Sequence, residues 1–237
     1  MQAVICSVNS KYVHSSPAPW CLLAGVRAFS SVRHEVSIVE GTVNESVNAL
    51  MERLCGETAQ VFGFCCYIWN ISVVRRLVKK LRALKPQCVI VLGGPEVSFR
   101  AEQTLRDLPE ADYILAGEGE RPFALLLDAL QGIRNLREIP GLCRRESGMI
   151  SFSGIYRPRD LPPAPDTQAY ADHLNGRIAY LETSRGCPFS CAFCLSGRCD
   201  PVRFFSVDYA KQELLRMANS GAQTVKLIDR TFNCNNG

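Results

Sequence analysis

Residues 87–99 read "QCVIVLGGPEVSF", in which a short apolar run from Cys88 to Leu92 is followed at once by Gly93 and Gly94. An apolar, β-branched run of this length is typical of a buried strand in a parallel sheet. Two glycines after a strand either satisfy the geometry of a tight turn or leave room for a flat or bulky ligand to approach the backbone. The stretch therefore predicts a strand whose end either turns tightly or lines a ligand site.

The same pattern recurs through the N-terminal half of the chain, where short apolar runs alternate with longer stretches of helical period. This alternation predicts repeated βα units and a parallel sheet. The predicted strands are Ala3–Val8, Glu35–Val39, Gln60–Tyr67, Cys88–Leu92 and Tyr113–Ala116. Five strands in strict alternation with helices favour a flavodoxin-like doubly wound domain over residues 1–132, whose ligand site lies beyond the carboxyl ends of the strands.

Composition places the chain among globular proteins. Of its 237 residues, 47% are hydrophobic and 21% are charged, so it can bury a sizeable core. The formal net charge of +4 is spread along the chain and does not indicate a nucleic-acid partner. Because neither a signal peptide nor an apolar stretch of about 18 residues is found, we expect a soluble, cytoplasmic protein without a membrane partner.

Twelve cysteines are many for a chain of this length. Most of them lie in apolar runs such as "VICSV" and "FGFCCYIW", where a buried thiol acts as a small hydrophobic side chain. This distribution differs from the even cysteine framework of a small secreted scaffold and indicates a reducing compartment. Only the close group of Cys187, Cys191 and Cys194 departs from this interpretation.

The C-terminal part divides into a connecting segment and the beginning of a second domain. Residues 133–176 are rich in proline and have no sustained helical period, which predicts a linker with a small hairpin from Gly141 to Ile155. Residues 177–237 then show a strand, a helix and a second strand. Such a unit is stable only within a larger closed sheet, so we expect a longer C-terminal domain to complete it.

Cys187, Cys191 and Cys194 are the candidate metal ligands, in the spacing C-x3-C-x2-C within "CPFSCAFC". A structural zinc site needs four ligands, and here only Cys199 could be the fourth. Ferredoxin-type clusters also use four thiolates, in other spacings. A four-iron cluster held by three protein thiolates, in contrast, leaves one iron open for a substrate.

These residues resemble the radical S-adenosylmethionine (SAM) superfamily, whose signature C-x3-C-x-aromatic-C also includes Phe193 here. The resemblance implies a [4Fe-4S] cluster whose open iron chelates SAM, and a 5′-deoxyadenosyl radical that abstracts hydrogen from the substrate. It also implies that Phe193 packs near the adenine. Asp229 in "KLIDRTFN" stands where such enzymes contact the methionine group of SAM, although the common Gly-Gly-Glu form is absent.

The stretches "LGGPEVSF", "YILAGEGE" and "ETSRGCPFSCAFC", in that order, extend the resemblance to radical SAM proteins with a cobalamin-binding domain. It implies a flavodoxin-like domain followed by the start of a (β/α) barrel, with residues 177–237 as the N-terminal part of that barrel. The residues that the resemblance assigns to cobalamin are Asn9, Ser10, Lys11, Tyr12, Cys65, Gly93, Gly94, Gly117, Glu118 and Gly119.

Two positions depart from the pattern of that family. Cys65 stands where a serine is usual. Around His14, Tyr12 replaces an aspartate and Pro17 replaces a glycine, so the motif that places a histidine beneath the cobalt is absent. We therefore expect that cobalamin, if bound, has no histidine ligand from this loop.

The leading interpretation is a radical SAM enzyme that depends on cobalamin and acts on a small-molecule or unknown substrate. The resemblance allows methyl transfer to an unactivated carbon, and also the rearrangements and ring contractions that cobalamin enzymes of this family catalyse. It implies an electron donor such as a flavodoxin or ferredoxin, and the sequence identifies no catalytic residue. Two alternatives stay open. One is a radical SAM enzyme whose N-terminal domain no longer binds cobalamin, and the other is a zinc-stabilised binding module that uses Cys187, Cys191, Cys194 and Cys199.

Overall fold

The computed structural model describes residues 1–165, 167–194 and 202–234. Its N-terminal half is a twisted sheet with helices on both faces. The N-terminal strands and helices are β1 (Gln2–Asn9), α1 (Ala18–Phe29), β2 (Glu35–Thr42), α2 (Val47–Gly56), β3 (Val61–Cys65), α3 (Ile71–Leu84), β4 (Val89–Gly93), α4 (Pro95–Ser98), α5 (Ala101–Asp107), β5 (Tyr113–Leu115) and α6 (Glu120–Leu130). The remaining elements are a 3₁₀ turn (Leu136–Glu138), β6 (Leu142–Glu146), β7 (Met149–Phe152), α7 (Thr167–Ala171), β8 (Ile178–Leu181), β9 (Ser184–Arg185), β10 (Arg203–Phe204), α8 (Val207–Ala218) and β11 (Thr224–Leu227).

The strand order of the main sheet is β2-β1-β3-β4-β5-β6-β7. Strands β1 to β5 pair in parallel, in the order of a flavodoxin-like domain. All five predicted strands are present, and the predicted fold class is confirmed. The reversal of strand order at β1 and β3 opens a crevice at the carboxyl ends of these strands, where open α/β sheets bind their ligands.

The central strands alternate their side chains between two apolar cores. On β1, Val4 packs with α2 and α3, whereas Ile5 packs with α1 and α6. Both side chains are fully buried, as is Leu77 on the apolar stripe of α3. Full burial of a side chain of this size stabilises the fold by about 1.5–3 kcal/mol. Because both faces of the sheet are covered, the strands read as continuous apolar runs in the sequence.

The segment expected to be a linker contributes two strands to the sheet. The predicted hairpin is present: β6 pairs antiparallel with β5, and β7 pairs with β6. Its turn is formed by Ser147 and Gly148, both with positive φ, as a two-residue hairpin of this type requires. Cys143 and Leu142 of β6 enter opposite cores, which explains why the hairpin joins the sheet rather than standing apart from it.

The C-terminal elements form a strand, a helix and a strand, as the sequence predicts. Strands β8 and β11 pair in parallel, and α8 connects them. Trp20 of α1 packs into a third apolar cluster with residues of α7, α8 and β8 and with Leu174 just before that strand. The residues of this cluster are Tyr170, Leu174, Ala179, Leu181 and Met217. No helix in the described part of the chain is long and apolar enough to cross a membrane.

The loop after β1 ties the two halves together. The backbone N–H of Ile178 donates to the carbonyl of Val13 at 2.7 Å, which places this loop beside β8. Arg177 forms an ion pair with Glu40 at 2.7 Å, and its guanidinium also donates to the carbonyl of His14 at 2.6 Å. Both charged side chains are largely buried, so the loop is held by partners on both sides.

A buried pair of His34 and Asp128 lies at the end of α6. Nε2 of His34 lies 2.9 Å from Oδ1 of Asp128, and the Ser31 amide donates to Oδ2 at 2.8 Å. Neither the His34 nor the Asp128 side chain is exposed. Burial alone would raise the pKa of Asp128, but the Ser31 amide and His34 outweigh it and hold the pKa below its ordinary value of 3.8.

We expect Asp128→Asn to lower the free energy of unfolding by about 2 kcal/mol at neutral pH, because the buried His34 loses a charged acceptor. Since the pKa is lowered in the folded state, this contribution is complete above the ordinary aspartate pKa and is lost as the pH falls through the folded pKa. Urea unfolding of both proteins should therefore show a difference that shrinks in acid. The exposed Asp107→Asn is the control and should change little at any pH; a difference for Asp128 that widened in acid would contradict the assignment.

Candidate functional site

A cavity of about 600 Å³ lies between the carboxyl ends of the sheet and the C-terminal elements. One wall consists of residues at the ends of β3, β4 and β5 or just after them: Cys65, Tyr67, Trp69, Gly93, Gly94, Gly117, Glu118 and Gly119. The opposite wall includes Tyr180, Glu182, Arg185, Tyr209 and Arg230. The cavity therefore occupies the position where a doubly wound sheet binds its ligand, closed from the other side by the second domain.

Positions 93 and 94 are occupied by glycine for two different physical reasons. Gly94 has φ +110°, and a Cβ there would lie 2.5 Å from the carbonyl oxygen of Cys66, so the turn requires glycine. A Cβ on Gly93 would meet only the carbonyl of Leu115, at an ordinary contact distance of 3.6 Å. Packing within the protein does not require glycine at position 93. The missing side chain instead leaves this part of the cavity wall flat and open to a ligand.

A network of buried charges joins the two walls. Arg185 pairs with Glu120 at 2.6 Å, with Glu118 at 3.0 Å and with Glu182 at 2.6 Å. Arg203 also donates to Glu118, at 3.2 Å. Burial alone would lower the pKa of Arg185, but Glu120 and Glu182 outweigh it and raise the pKa further above its ordinary value. The segment that leads to Cys187 is thereby fixed to the loop after β5.

The structure brings six of the ten predicted cobalamin residues to the cavity: Cys65, Gly93, Gly94, Gly117, Glu118 and Gly119. Burial raises the pKa of the Cys65 thiol to about 12, so this side chain is a neutral part of the wall. The carboxylate of Glu118 is already engaged by Arg185 and Arg203. Contact of these residues with cobalamin stays a prediction.

The four residues predicted after β1, Asn9, Ser10, Lys11 and Tyr12, do not line this cavity. The amide of Asn9 donates to the carbonyl of His14 at 3.1 Å and to Glu40 at 3.2 Å. Tyr12 is 75% exposed, with the guanidinium of Arg177 over its ring. This loop takes part in the contact between the two halves, and its role toward cobalamin stays a prediction.

His14 belongs to the same contact and not to the cavity lining. Its Nδ1 lies 2.5 Å from the hydroxyl of Tyr180, which is itself a cavity residue on β8. The imidazole of His14 is therefore held by a hydrogen bond to a residue of the second domain. That the loop supplies no histidine beneath a cobalt ion stays a prediction.

The three cysteines of the signature lie on the loop that follows Arg185. Cys187 is buried, Cys194 is partly buried and Cys191 is exposed. The backbone N–H of Cys194 donates to the carbonyl of Cys191 at 3.1 Å, so the last two lie on one turn. Among the described residues, no three His, Cys, Asp or Glu side chains converge as metal ligands. Cys199, the fourth ligand of the zinc hypothesis, lies outside the described residues.

Of the two residues predicted to bind SAM, Phe193 lies within this loop and Asp229 lies close to it. Neither residue lines the cavity. Phe193 is 94% exposed. Oδ1 of Asp229 accepts hydrogen bonds from the backbone amides of Thr183 at 2.7 Å and Ser184 at 2.8 Å. The aspartate thus braces the segment before the cysteines. Its role toward SAM stays a prediction.

The charged network and the aromatic lining of the cavity were not predicted from the sequence. The stacked rings of Tyr67 and Trp69, with centroids 4.5 Å apart, lie in the connection between β3 and α3. Tyr209, which is on α8, lines the opposite wall of the cavity. The run "ETSRG" contains Arg185, but its partners Glu118 and Glu120 are more than 60 positions away in sequence. Only a sequence signal that linked these distant positions could have revealed the pairing.

Comparison with known proteins gives one family and several relatives. Residues 9–127 match the family model described as "B12 binding domain". An uncharacterized methyltransferase of Pyrococcus horikoshii is 26% identical over 239 residues, which cover 95% of this chain and 51% of the relative. The cobalamin-dependent radical SAM methyltransferase TokK of Streptomyces tokunonensis is 28% identical over 188 residues, covering 73% of this chain and 27% of the relative.

Among solved structures, the chain is similar to OxsB, a cobalamin-dependent SAM radical enzyme with aqua-cobalamin and SAM bound. The TM-score is 0.78 at 17% identity, over 98% of this chain and 34% of OxsB. The likeness shows a shared fold across both halves of the chain, including the C-terminal elements. The chain spans about half of the first relative, 51%, and smaller shares of the others.

Proposed function

Because this chain belongs to the B12 binding domain family, we propose that it carries the cobalamin site and the cluster-binding loop of a radical SAM methyltransferase. One observation carries the proposal: the cavity at the strand ends of the B12 binding domain is closed by the segment that leads directly into Cys187. A ligand in that cavity would therefore lie between the two parts of the chain. Methyl transfer from cobalamin to a substrate radical needs this proximity.

Cobalamin fits the observed cavity wall. Gly93 leaves a flat surface that no contact within the protein fills, and Gly117 and Gly119 follow the next strand at the same edge. We assign the corrin to this wall, with Cys65 as a neutral contact and Glu118 held in its ion pairs. Cobalamin bound there would supply the methyl group. The aromatic residues and the ion pairs around it exclude water from the reacting groups.

A four-iron cluster fits the donor set of the loop. Thiolates are the ligands that iron–sulfur clusters use, and Cys187, Cys191 and Cys194 stand within eight positions after a rigidly held segment. Cys187 is already buried at its place, whereas the exposed turn with Cys191 has to close. A cluster held by these three cysteines would supply one electron to SAM. Phe193 and Asp229 remain the residues we assign to SAM.

The substrate and the redox partner complete the proposal. We infer a small-molecule substrate with an unactivated carbon, because radical chemistry is needed to methylate such an atom. One electron for each SAM cleavage has to come from a donor such as a flavodoxin or a ferredoxin. The substrate side of the cavity includes Tyr180, Tyr209 and Arg230, which offer aromatic surface and a positive charge.

Two measurements on the unmodified protein test the proposal. Anaerobic reconstitution should load about four irons per chain and produce a brown chromophore. Titration with hydroxocobalamin should shift its visible spectrum at a saturating concentration. Iron without a cobalamin shift would favour a radical SAM protein that has lost cobalamin. One tightly bound zinc and no cluster would favour the binding module that uses Cys187, Cys191, Cys194 and Cys199.

A further inference from the structure

The segment just after β11 contacts the cysteine loop at two points. Asp229 accepts hydrogen bonds from the amides of Thr183 and Ser184, and the Thr183 hydroxyl also donates to it. Two residues further on, Oγ1 of Thr231 lies 3.2 Å from Sγ of Cys187. This distance is well within the range of a hydrogen bond to sulfur. The run Asp229-Arg230-Thr231 therefore holds both the approach to the loop and its first thiol.

Cys187 is the buried thiol of the three and follows a segment that is held by ion pairs. It is 7% exposed, and the residue two positions before it is Arg185, which is held by three carboxylates. Cys191 is exposed. Closure of the loop around a metal group would thus move Cys191 and its neighbours, while Cys187 keeps its place. The contact between Thr231 and Cys187 is expected to survive that closure.

The chemistry of the two groups sets the direction of this hydrogen bond. A metal-binding cysteine is a thiolate, which has lone pairs but no proton to donate. The Thr231 hydroxyl must then be the donor, with Cys187 sulfur as the acceptor. A donor beside a cluster sulfur stabilises the form with the additional electron, since that form carries more negative charge.

We propose that Thr231 is a positioning residue for the metal ligand Cys187, and that its hydroxyl raises the reduction potential of the cluster bound by the three cysteines. The proposal rests on the proposed function, because it requires that cluster. Asp229 acts with Thr231 by fixing the backbone of Thr183 and Ser184. The effect concerns one electron, which enters from an external donor and is passed to SAM.

The test compares the reconstituted protein with Thr231→Val, which keeps the shape of the side chain and removes the donor, and with Thr231→Ser, which keeps the hydroxyl. Reductive titration with dithionite and mediator dyes, followed by electron paramagnetic resonance, measures the midpoint potential. We expect equal iron content in all three proteins. At a fixed potential, the ratio of reduced to oxidised cluster should fall about tenfold in Thr231→Val, a shift of about 59 mV for one electron. Thr231→Ser should have the same ratio of reduced to oxidised cluster as the parent.

The possible outcomes separate this proposal from the proposed function. A Thr231→Val protein with full iron content and the potential of the parent would overturn the role of Thr231 and leave the cluster assignment intact. A parent protein that assembles no cluster would refute the cluster assignment and this proposal with it. Thr231→Ala gives the same comparison if the valine variant assembles no cluster. Loss of iron in both variants, with full iron in Thr231→Ser, would contradict the expected equal loading and would overturn the assignment of the hydroxyl to the reduction potential.

Discussion

Replacing Cys191 with alanine should abolish cluster assembly: anaerobic reconstitution should give less than one iron per chain, against about four in the parent. Each thiolate binds one iron of the cluster, and the fourth iron is left for SAM. With only two thiolates, two corners lack a protein ligand and the cluster is lost. Because Cys191 is exposed and contributes no buried surface, the fold should be unchanged by its removal.

Cys55→Ala is the matched control. Cys55 is a partly buried thiol on α2, away from the loop, and its removal should leave the iron content at the parent value. Thermal unfolding of both metal-free variants should agree with the parent, which separates loss of ligation from loss of fold. Iron content and electron paramagnetic resonance spectra that did not change in Cys191→Ala would refute the assignment of the three cysteines.

Gly93→Leu should weaken cobalamin binding at least a hundredfold, which corresponds to about 2.8 kcal/mol. The first atom of the new side chain fits, because a Cβ at this position meets only the carbonyl of Leu115 at 3.6 Å. The rest of the side chain must project into the cavity and hold the corrin away from the wall. Leucine is also a better strand residue than glycine, so the protein should be no less stable.

Titration with hydroxocobalamin, followed by visible absorbance, measures this effect. Gly56→Leu makes the same substitution at the end of α2, where nothing lies within 4 Å of the added Cβ, and should bind like the parent. Iron loading of Gly93→Leu should remain normal, since the cysteine loop is on the other side of the cavity. Parent-like cobalamin affinity in Gly93→Leu would show that the corrin does not lie against β4.

The first five strands could be predicted because each carries its own signal. A strand buried on both faces must be apolar at every position, and the helix after it must be apolar on one stripe; both patterns are local. The hairpin of β6 and β7 was predicted, but not its pairing with β5. That pairing depends on alternate residues, Leu142 and Cys143, finding space in two cores that the other elements create.

The candidate site likewise has features that the sequence predicts and features that it does not. The cysteine spacing and the paired glycines are visible in the sequence because their function depends on residues close together in the chain. The loop after β1 also forms hydrogen bonds to β8, and Glu40 of β2 forms an ion pair with Arg177, contacts that the sequence did not predict. Those partners are more than 130 positions apart, so no local pattern reveals them.

The sequence by itself determined the alternating architecture, the triad of close thiols and the pair of glycines that follows the fourth apolar run. The tertiary structure decided which side chains meet: Arg185 with three carboxylates, Asp229 with the backbone before the cysteines, and Thr231 with Cys187. The physical reason is the range of the interactions. Periodic burial acts between neighbours in the chain, whereas a hydrogen bond or a buried ion pair requires two groups within about 3 Å, and only the folded chain brings distant residues that close.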